Sequence, residues 1–199
     1  MLTWFLDSFF PRLCVGCGKE GSWVCHSCRD WDREGWPREA SPGVTAFAPF
    51  REKVVREGIH GLKYHGLHEV AEDLVSMAWP AGFSWGEEAV LVPVPTSLGN
   101  KKKRGYNQAE LIARAIARRL SWSVDTSLLV KTAKGTLVGK DRNERLRGAG
   151  YVLRKGAVVP ERRLILVDDL CTTGSTLAAC REALGREAEA VTVAFENYP

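Results

Sequence analysis

The sequence predicts an α/β protein with a mostly parallel sheet, preceded by a small module that contains a cysteine cluster. Three observations support this fold class. Apolar strand-like runs alternate with segments of helical periodicity from residue 44 to residue 195, and such alternation is typical of parallel sheets. Residues 164–167 are all apolar, as expected for a strand that is buried on both faces. Four of the six cysteines lie within residues 14–28, ahead of the first predicted strand.

The first half of the main domain predicts two strands and two helices. Residues 44–50 and 89–95 form strand-like apolar runs, whereas residues 54–64 and 67–78 have helical periodicity. Gly66 separates the two helices and Pro80 ends the second. The preceding segment, residues 29–43, is dense in charge, Trp, Pro and Gly, which is typical of a domain boundary. We therefore expect a cysteine-containing module over residues 1–40 and an α/β domain over residues 41–199.

The second half predicts two more helices and two more strands. Asn107 begins a helix in which Glu110 stands where a capping box requires it. Residues 131–150 are basic and weakly periodic, so we expect them to form an excursion over the surface. Residues 163–169 and 190–195 are predicted strands, separated by a helix over residues 174–184 that Gly185 closes. The apolar stripe of the first of these helices consists of Ile112, Ala113, Ile116, Ala117 and Leu120.

The composition is that of an ordinary globular protein. The 199 residues include 28 Lys and Arg against 24 Asp and Glu, a net charge of +4, and 45% of them are apolar. These values argue against wholesale disorder, a collagen-like repeat or a disulfide-rich miniature. The small positive charge suits an anionic partner such as a phosphate, a nucleotide or a nucleic acid, without selecting among them.

The sequence predicts a cytoplasmic protein without a membrane span. No run approaches the roughly 18 consecutive apolar residues that cross a bilayer. The first ten residues lack a basic start and contain Asp7, which favours a short amphipathic helix over an export signal. The cysteine spacing favours a metal site over disulfides, and reduced thiols indicate the cytoplasm.

The cysteine cluster predicts a structural zinc site. Cys14 and Cys17 form one pair with two intervening residues, and Cys25 and Cys28 form a second pair with the same spacing. Four thiolates complete the tetrahedral shell of Zn²⁺ and leave no open position for a substrate. Zinc in this module is therefore expected to be structural.

Four tryptophans lie around the cysteine cluster, namely Trp4, Trp23, Trp31 and Trp36. Aromatic rings beside basic residues can stack on single-stranded bases. Small modules more often use such rings as their core, because they bury little else. The core interpretation is favoured on these grounds.

The strongest functional signal is the string Leu-Val-Asp-Asp-Leu-Cys-Thr-Thr-Gly-Ser-Thr at residues 166–176. A strand delivers Asp168 and Asp169 to the carboxyl edge of the sheet, where open parallel sheets bind ligands. The residues that follow can surround an anion with backbone N–H groups and hydroxyls, and the next helix directs its positive end to the same place. The hydroxyl-bearing residues are Thr172, Thr173, Ser175 and Thr176, and they flank Gly174.

The two carboxylates suit a sugar better than a phosphate. Asp168 and Asp169 can accept hydrogen bonds from vicinal hydroxyls, while the donors that follow hold a 5′-phosphate. A ribose 5-phosphate therefore fits both the two carboxylates and the donors that follow them. The alternative, a surface turn after a core strand, explains one Asp and one Gly but not two carboxylates followed by four hydroxyl residues around one Gly.

The string resembles the phosphoribosyl-pyrophosphate (PRPP) loop of type I phosphoribosyltransferases, and the rest of the chain is similar to the ComF family of competence-associated proteins. Besides the Asp-Asp loop, the family features are the four cysteines, Lys63-Tyr-His-Gly66, Val92-Pro-Val-Pro95 and Arg104-Gly-Tyr-Asn-Gln-Ala109. They occur in family order over residues 14–176 and so cover most of the chain. The resemblance implies a type I phosphoribosyltransferase fold with an N-terminal zinc ribbon. It also implies that PRPP is bound by Asp168, Asp169, Cys171, Thr172, Thr173, Gly174, Ser175 and Thr176.

The resemblance further implies Mg²⁺, which would bridge the pyrophosphate and the ribose hydroxyls of PRPP. Basic side chains would neutralise the departing pyrophosphate, and the candidates are Lys63, Arg104, Lys140 and Arg142. Relatives tend to carry a Gln a few residues after the position of Thr136, and this chain has none there. That departure puts a second-substrate contact at this position in doubt.

The function implied by the resemblance is natural transformation, the handling of incoming single-stranded DNA, with that DNA and DNA-uptake proteins as partners. Two alternatives stay open. One is a module that senses PRPP or binds nucleic acid without any transfer. The other is nucleobase salvage, which is weakened because no base-recognition element is evident downstream of Ala190. The sequence indicates neither the acceptor nor the oligomeric state.

Overall fold

The computed structural model describes residues 11–31, 34–80, 83–132 and 150–196 of the chain. Its strands are β1 (Arg38–Ser41), β2 (Val44–Pro49), β3 (Val90–Pro93), β4 (Ser123–Val124), β5 (Leu129–Lys131), β6 (Tyr151–Leu153), β7 (Leu164–Cys171) and β8 (Glu189–Phe195). Its helices are α1 (His26–Arg29), α2 (Lys53–Tyr64), α3 (Val70–Ala78), α4 (Leu98–Arg104), α5 (Gln108–Leu120) and α6 (Ser175–Leu184).

A six-stranded sheet in the order β1-β2-β8-β7-β3-β4 forms the centre of the protein. Every neighbouring pair from β2 to β4 is parallel, and only β1 joins its neighbour in the antiparallel direction. The predicted α/β class with a mostly parallel sheet is therefore confirmed. Strands β5 and β6 form a separate antiparallel pair, and most of the predicted excursion between them lies outside the described residues.

Two apolar cores lie on the two faces of the sheet. Helices α2, α3 and α5 cover one face, where Ile165 and Val167 of β7 are fully buried. Helix α6 and the β5-β6 pair cover the other face, where Leu164 and Leu166 are buried. The alternation along β7 follows from the two-residue period of a strand. The same alternation influences which neighbours Asp168 and Asp169, the next two residues of β7, meet.

The predicted helices form with small differences at their ends. The second helix begins at Val70 rather than residue 67, because Gly66 has a φ of 69° and a turn follows it. The Asn107 side chain caps α5 as predicted, by accepting a hydrogen bond from the Ala109 N–H. The Glu110 carboxylate bonds to Arg114 one turn later, so the reciprocal half of the predicted capping box is not formed.

The cysteine-containing segment packs against α3. The Arg29 guanidinium lies 2.7 Å from one Asp73 carboxylate oxygen, and the Val24 N–H donates to the other at 3.1 Å. Trp23 and Trp31 pack against the first core, in agreement with the core interpretation, whereas Trp4 lies outside the described residues. The division of the chain at residue 40 stays a prediction, and that residue lies within β1. In the described part of the chain, no helix combines the length and apolarity needed to cross a bilayer.

Candidate functional site

Three side-chain contacts join four of the predicted motifs at the carboxyl ends of β3 and β7. The Asn107 amide donates to the Val94 carbonyl at 2.9 Å. The Tyr106 hydroxyl donates to the Leu62 carbonyl at 2.5 Å. The Lys63 ammonium lies 2.7 Å from Asp169 Oδ2. Segments that are far apart in the sequence therefore meet at the sheet edge where α/β proteins bind ligands.

The ion pair between Lys63 and Asp169 is largely shielded from water. The side chain of Asp169 is 5% exposed and that of Lys63 is 20% exposed. Lys63 belongs to the last turn of α2, where the helix dipole favours a cation. Because Tyr106, in the turn between α4 and α5, holds the carbonyl of the preceding residue, the position of this lysine is determined by α2, that turn and β7.

Asp168 and Asp169 are consecutive residues of β7 whose carboxyl groups lie within hydrogen-bonding reach of each other, but they meet different neighbours. Strand β7 continues to Cys171, so both aspartates lie within a strand, where successive side chains alternate. Asp169 meets α2, whereas the charge of Asp168 acts on Tyr151 and Cys180 in the second core. The sequence pattern placed both carboxylates at one sugar but did not reveal this alternation, because the predicted strand ended at residue 169.

Burial raises the pKa of the Asp168 carboxyl well above its ordinary value, and the charge of Asp169 adds to the effect. The ammonium of Lys63 acts in the opposite direction but does not outweigh them. Asp168 Oδ1 accepts a hydrogen bond from the Asp169 N–H at 2.9 Å. Two adjacent carboxyl groups thus share one cation, and a ligand that brings hydrogen-bond donors or positive charge would relieve the remaining repulsion.

The loop after β7 presents hydroxyl groups to solvent ahead of α6. Thr172, Thr173 and Ser175 are exposed, and the Thr173 hydroxyl bonds to that of Ser175 at 3.0 Å. Gly174 occupies the N-cap position of α6 with a φ of 74°. It has no side chain that could cap the first turn. The Thr173 hydroxyl accepts the Ser175 N–H at 3.4 Å, and an anion at this positive helix end could replace that long contact.

A hydroxyl from β1 supports this loop, and the sequence did not predict it. A Cβ atom at Gly174 would lie 2.5 Å from Ser41 Oγ. The thiol of Cys171 is buried beside the same hydroxyl, and burial raises its pKa. No signal in the sequence links residue 41 to residue 174, because their contact depends on the path of β1 along the edge of the sheet.

The four basic candidates differ in their positions. Arg104 lies at the end of α4, with its guanidinium 5.4 Å from the centre of the Tyr64 ring and 3.1 Å from Gln108 Oε1. Its guanidinium therefore lies beside the residue that follows Lys63, and among the described residues it forms no ion pair with either aspartate. Lys140 and Arg142 lie outside the described residues.

The four predicted cysteine ligands form a compact cluster. The sulfur atoms of Cys14, Cys17, Cys25 and Cys28 all lie within 4.8 Å of one another, and those of Cys17 and Cys25 are 3.5 Å apart. Zn–S bonds of about 2.3 Å in a tetrahedron place sulfur atoms about 3.8 Å apart. A Cβ atom at Gly16 would lie 2.8 Å from Cys28 Sγ, so the turn between the first two cysteines leaves room only for glycine. The donor set and its spacing fit a metal such as zinc.

The protonation of the cluster also fits a bound cation. Burial acts to raise the pKa of Cys14, but backbone N–H donors outweigh it and lower this pKa to about 6. Burial and hydrogen bonds from the neighbouring thiols raise the pKa of Cys28 to about 12. Because the charge of Cys14 contributes to the raised pKa of Cys28, a cation among the sulfurs would favour ionisation of this thiol.

Known proteins with similar sequences support the family resemblance. Competence protein F of Haemophilus influenzae is 38% identical over 92 residues, which are 44% of this chain and 40% of that protein. Competence protein ComFC of Bacillus subtilis is 27% identical over 196 residues, which are 94% of this chain and 78% of that protein. This chain is similar in sequence to ComF proteins. It also matches the DNA utilization protein YhgH of Escherichia coli, at 31% identity over 50% of this chain and 44% of that protein.

Similarity to solved structures is weaker. The chain aligns with a crystal structure of adenine phosphoribosyltransferase at 20% identity and a TM-score of 0.36, over 67% of this chain and 71% of that chain. It aligns with an allosteric regulatory enzyme of purine biosynthesis at 18% identity and a TM-score of 0.40, over 69% of this chain and 26% of that chain. No protein-family model matches the chain.

Proposed function

We propose that this protein binds PRPP together with Mg²⁺ at the carboxyl edge of its sheet and acts in the handling of incoming DNA. The observation that carries the proposal is the meeting of an aspartate pair, an open helix N-terminus and two basic residues at one edge. These groups match the parts of PRPP, which are a ribose with vicinal hydroxyls, a 5′-phosphate and a pyrophosphate.

Each group has a separate task in the proposed complex. Asp168 and Asp169 accept hydrogen bonds from the ribose hydroxyls. The backbone and hydroxyl groups of residues 171–176 hold the 5′-phosphate, as helix N-termini hold anions. Arg104, Lys63, Lys140 and Arg142 are the candidates for neutralising the pyrophosphate. When bound, Mg²⁺ supplies further positive charge to the pyrophosphate, and the carboxylates that face this edge are compatible with a hard cation.

Zinc is proposed for the four-cysteine cluster. It would be structural, because four thiolates fill its coordination shell. The metal would join the two cysteine pairs, and the contacts of Arg29 and Val24 with Asp73 would transmit that order to α3. We accordingly retain the division into a zinc module over residues 1–40 and a phosphoribosyltransferase-like domain over residues 41–199.

The role in DNA handling is supported by the names of the relatives and by a basic surface next to the proposed pocket. The relatives are called competence proteins and a DNA utilization protein. Helix α4 carries Lys101, Lys102 and Lys103, which are exposed, and within the described residues no ion pair joins them to a carboxylate. Tyr64, 64% exposed, lies beside Arg104 at the end of this helix. Cations beside an exposed ring suit a single-stranded nucleic acid.

Calorimetric titration with PRPP and Mg²⁺ tests the binding proposal. The wild-type protein should bind saturably, and Asp169→Asn should weaken binding by roughly tenfold, the usual effect of losing one hydrogen bond to a charged group. Glu187→Gln, which changes an exposed carboxylate at the opposite edge of the sheet, should bind as the wild type does. Binding that is absent from the wild type, or equal in Asp169→Asn, would refute the proposal.

Release of pyrophosphate separates a transferase from a sensor. The protein is incubated with PRPP and Mg²⁺, alone and with nucleobases or single-stranded DNA. Release that disappears in Asp168→Ala and Asp169→Ala indicates transfer. Tight binding without release under any condition indicates a PRPP-sensing module instead.

A further inference from the structure

We infer that Lys63 serves the ribose side of the proposed site, as a positioning residue for Asp169, and that Arg104, of these two basic residues in the described part of the chain, is the one that meets the pyrophosphate. This inference rests on the proposed binding of PRPP and refines it. It assigns different parts of the ligand to two basic residues that sequence reasoning groups together.

Lys63 and Asp169 form a close and largely buried ion pair. Lys63 Nζ lies 2.7 Å from Asp169 Oδ2, and the Asp169 side chain is 5% exposed. A carboxylate buried to this extent requires a compensating partner. Among the described residues, Lys63 is the cation that forms an ion pair with Asp169, so the two charges depend on each other.

The carboxyl group of Asp168 lies next to the ion pair. Asp168 adds negative charge next to Asp169, which increases the need for a cation at this point. If Lys63 moved to a pyrophosphate, two adjacent carboxyl groups would be left without it. Keeping the ammonium in place therefore preserves the orientation of the Asp169 side chain for a ribose hydroxyl.

The position of Lys63 at the end of α2 is held by a neighbouring segment. Lys63 belongs to the last turn of α2, and the carbonyl of Leu62 accepts a hydrogen bond from Tyr106. The helix end is thus held by a second element while the lysine side chain spans to the strand. This arrangement holds the Asp169 carboxylate in place. It gives the Lys63 ammonium little freedom to move with a departing pyrophosphate.

Arg104 has the opposite character. Its guanidinium contacts the neutral groups of Tyr64 and Gln108, and among the described residues it forms no ion pair with a carboxylate. Because no carboxylate among the described residues offsets the charge of this guanidinium, that charge is available to an incoming anion. Its planar fork also suits phosphate oxygens. Its contact with Tyr64, the residue after Lys63, keeps it near the end of α2, and it does not compete with Lys63 for Asp169.

The test compares three ligands in the full-length protein, namely Mg²⁺-PRPP, ribose 5-phosphate and Mg²⁺-pyrophosphate, by calorimetric titration. Lys63→Met should weaken the binding of PRPP and of ribose 5-phosphate by the same factor, roughly tenfold for a disturbed hydrogen bond to a charged group. It should leave the binding of pyrophosphate unchanged. Arg104→Met should weaken the binding of PRPP and of pyrophosphate and leave that of ribose 5-phosphate unchanged. Lys53→Met, at the exposed first residue of the same helix, should change none of the three.

Two further variants guard against a general loss of structure. Lys63→Arg retains a cation next to Asp169 and should recover most of the affinity for ribose 5-phosphate. In the Asp169→Asn background, Lys63→Met should cause no additional loss of ribose 5-phosphate binding, because the lysine acts through the carboxylate. This double variant removes both charges, so it avoids an unpaired buried ion.

Several outcomes would overturn the inference. One is a Lys63→Met protein that loses pyrophosphate and PRPP but binds ribose 5-phosphate normally. A second is an equal loss of all three ligands, and a third is an additive effect of the two substitutions in the double variant. A wild-type protein that binds none of the three ligands would instead refute the proposed function itself.

Discussion

The side-chain amide of Asn107 donates a hydrogen bond to the carbonyl of Val94 at 2.9 Å, and its oxygen accepts the Ala109 N–H at 3.3 Å. One buried residue, 8% exposed, thereby joins the end of β3 to the beginning of α5. Since Tyr106 precedes it and contacts Leu62, this link also orders the segment that carries Lys63.

The first prediction concerns this link. Asn107→Ala should lower the free energy of unfolding by about 1–3 kcal/mol, because it removes a helix cap and leaves a buried carbonyl without a partner. Ser97→Ala removes the cap of α4, which is exposed, and should cost about 1 kcal/mol or less. Urea denaturation measures both values. Equal losses in the two variants would contradict the account.

The second prediction concerns the loop before α6. Gly174→Ala and Gly156→Ala share a positive φ, 74° and 81° respectively, but only the first meets a neighbour, at 2.5 Å from Ser41 Oγ. The shared backbone strain costs about 1–2 kcal/mol, and the clash should add about 1–3 kcal/mol in Gly174→Ala alone. Ser41→Gly should restore part of that additional loss. Thermal unfolding of these variants measures the losses of stability. A loss in Gly156→Ala as large as that in Gly174→Ala would contradict the contact between residue 174 and Ser41.

The third prediction is a pH dependence of stability. Because the pKa of Asp168 is raised in the fold, the folded protein retains a proton that the unfolded chain releases. Between the ordinary Asp pKa of 3.8 and the raised value, increasing pH therefore destabilises the fold. Asp168→Asn cannot ionise, so its Tm should exceed that of the wild type at neutral pH and converge with it below the ordinary pKa.

The control for this pH effect is Glu187→Gln, which alters an exposed carboxyl group and should leave Tm unchanged at both pH values. A lower Tm for Asp168→Asn at neutral pH would show that its charge stabilises the fold, contrary to the expectation.

The fourth prediction concerns the cysteine cluster. Metal analysis should find about one Zn²⁺ per chain, because four thiolates form a single closed site. Cys14→Ser and Cys28→Ser should lose the metal. Cys180→Ala should retain it, because that thiol is buried in the second core, where burial raises its pKa to about 12. A wild-type protein that is folded and free of metal would refute the zinc site.

The fifth prediction concerns DNA. Lys101→Glu with Lys102→Glu should weaken binding of a labelled oligothymidylate and lower the slope of log affinity against log salt concentration by about 1.4, the value for two phosphate contacts to a single strand. Lys155→Glu with Arg162→Glu makes the same change of charge elsewhere on the surface and should have little effect. Fluorescence anisotropy over a salt series measures both. Equal slopes in the two double variants would exclude α4 as the DNA-binding surface.

The sequence predicted the elements that local physics determines. Residues 164–167 are apolar without interruption and form the centre of β7, and the periodicity of residues 54–64 corresponds to α2. The pairing of cysteines at two-residue spacing predicted the close cluster. In each of these cases, the signal lies within a few neighbouring residues.

Features that depend on distant pairing were not predictable in the same way. Strand β1 and its Ser41 contact were missed because an edge strand of four residues has little periodicity. The different neighbours of Asp168 and Asp169 depend on the extension of β7 to Cys171. The partner of Lys63 was missed as well, since only the folded sheet brings α2 next to β7.

The central claim is tested most directly by a crystal structure of the protein with PRPP and Mg²⁺ bound. The account predicts the 5′-phosphate within the loop of residues 171–176, a ribose hydroxyl on Asp169, and Lys63 still paired with that carboxylate. Density for the ligand at any other surface, or none after soaking at saturating concentration, would contradict it.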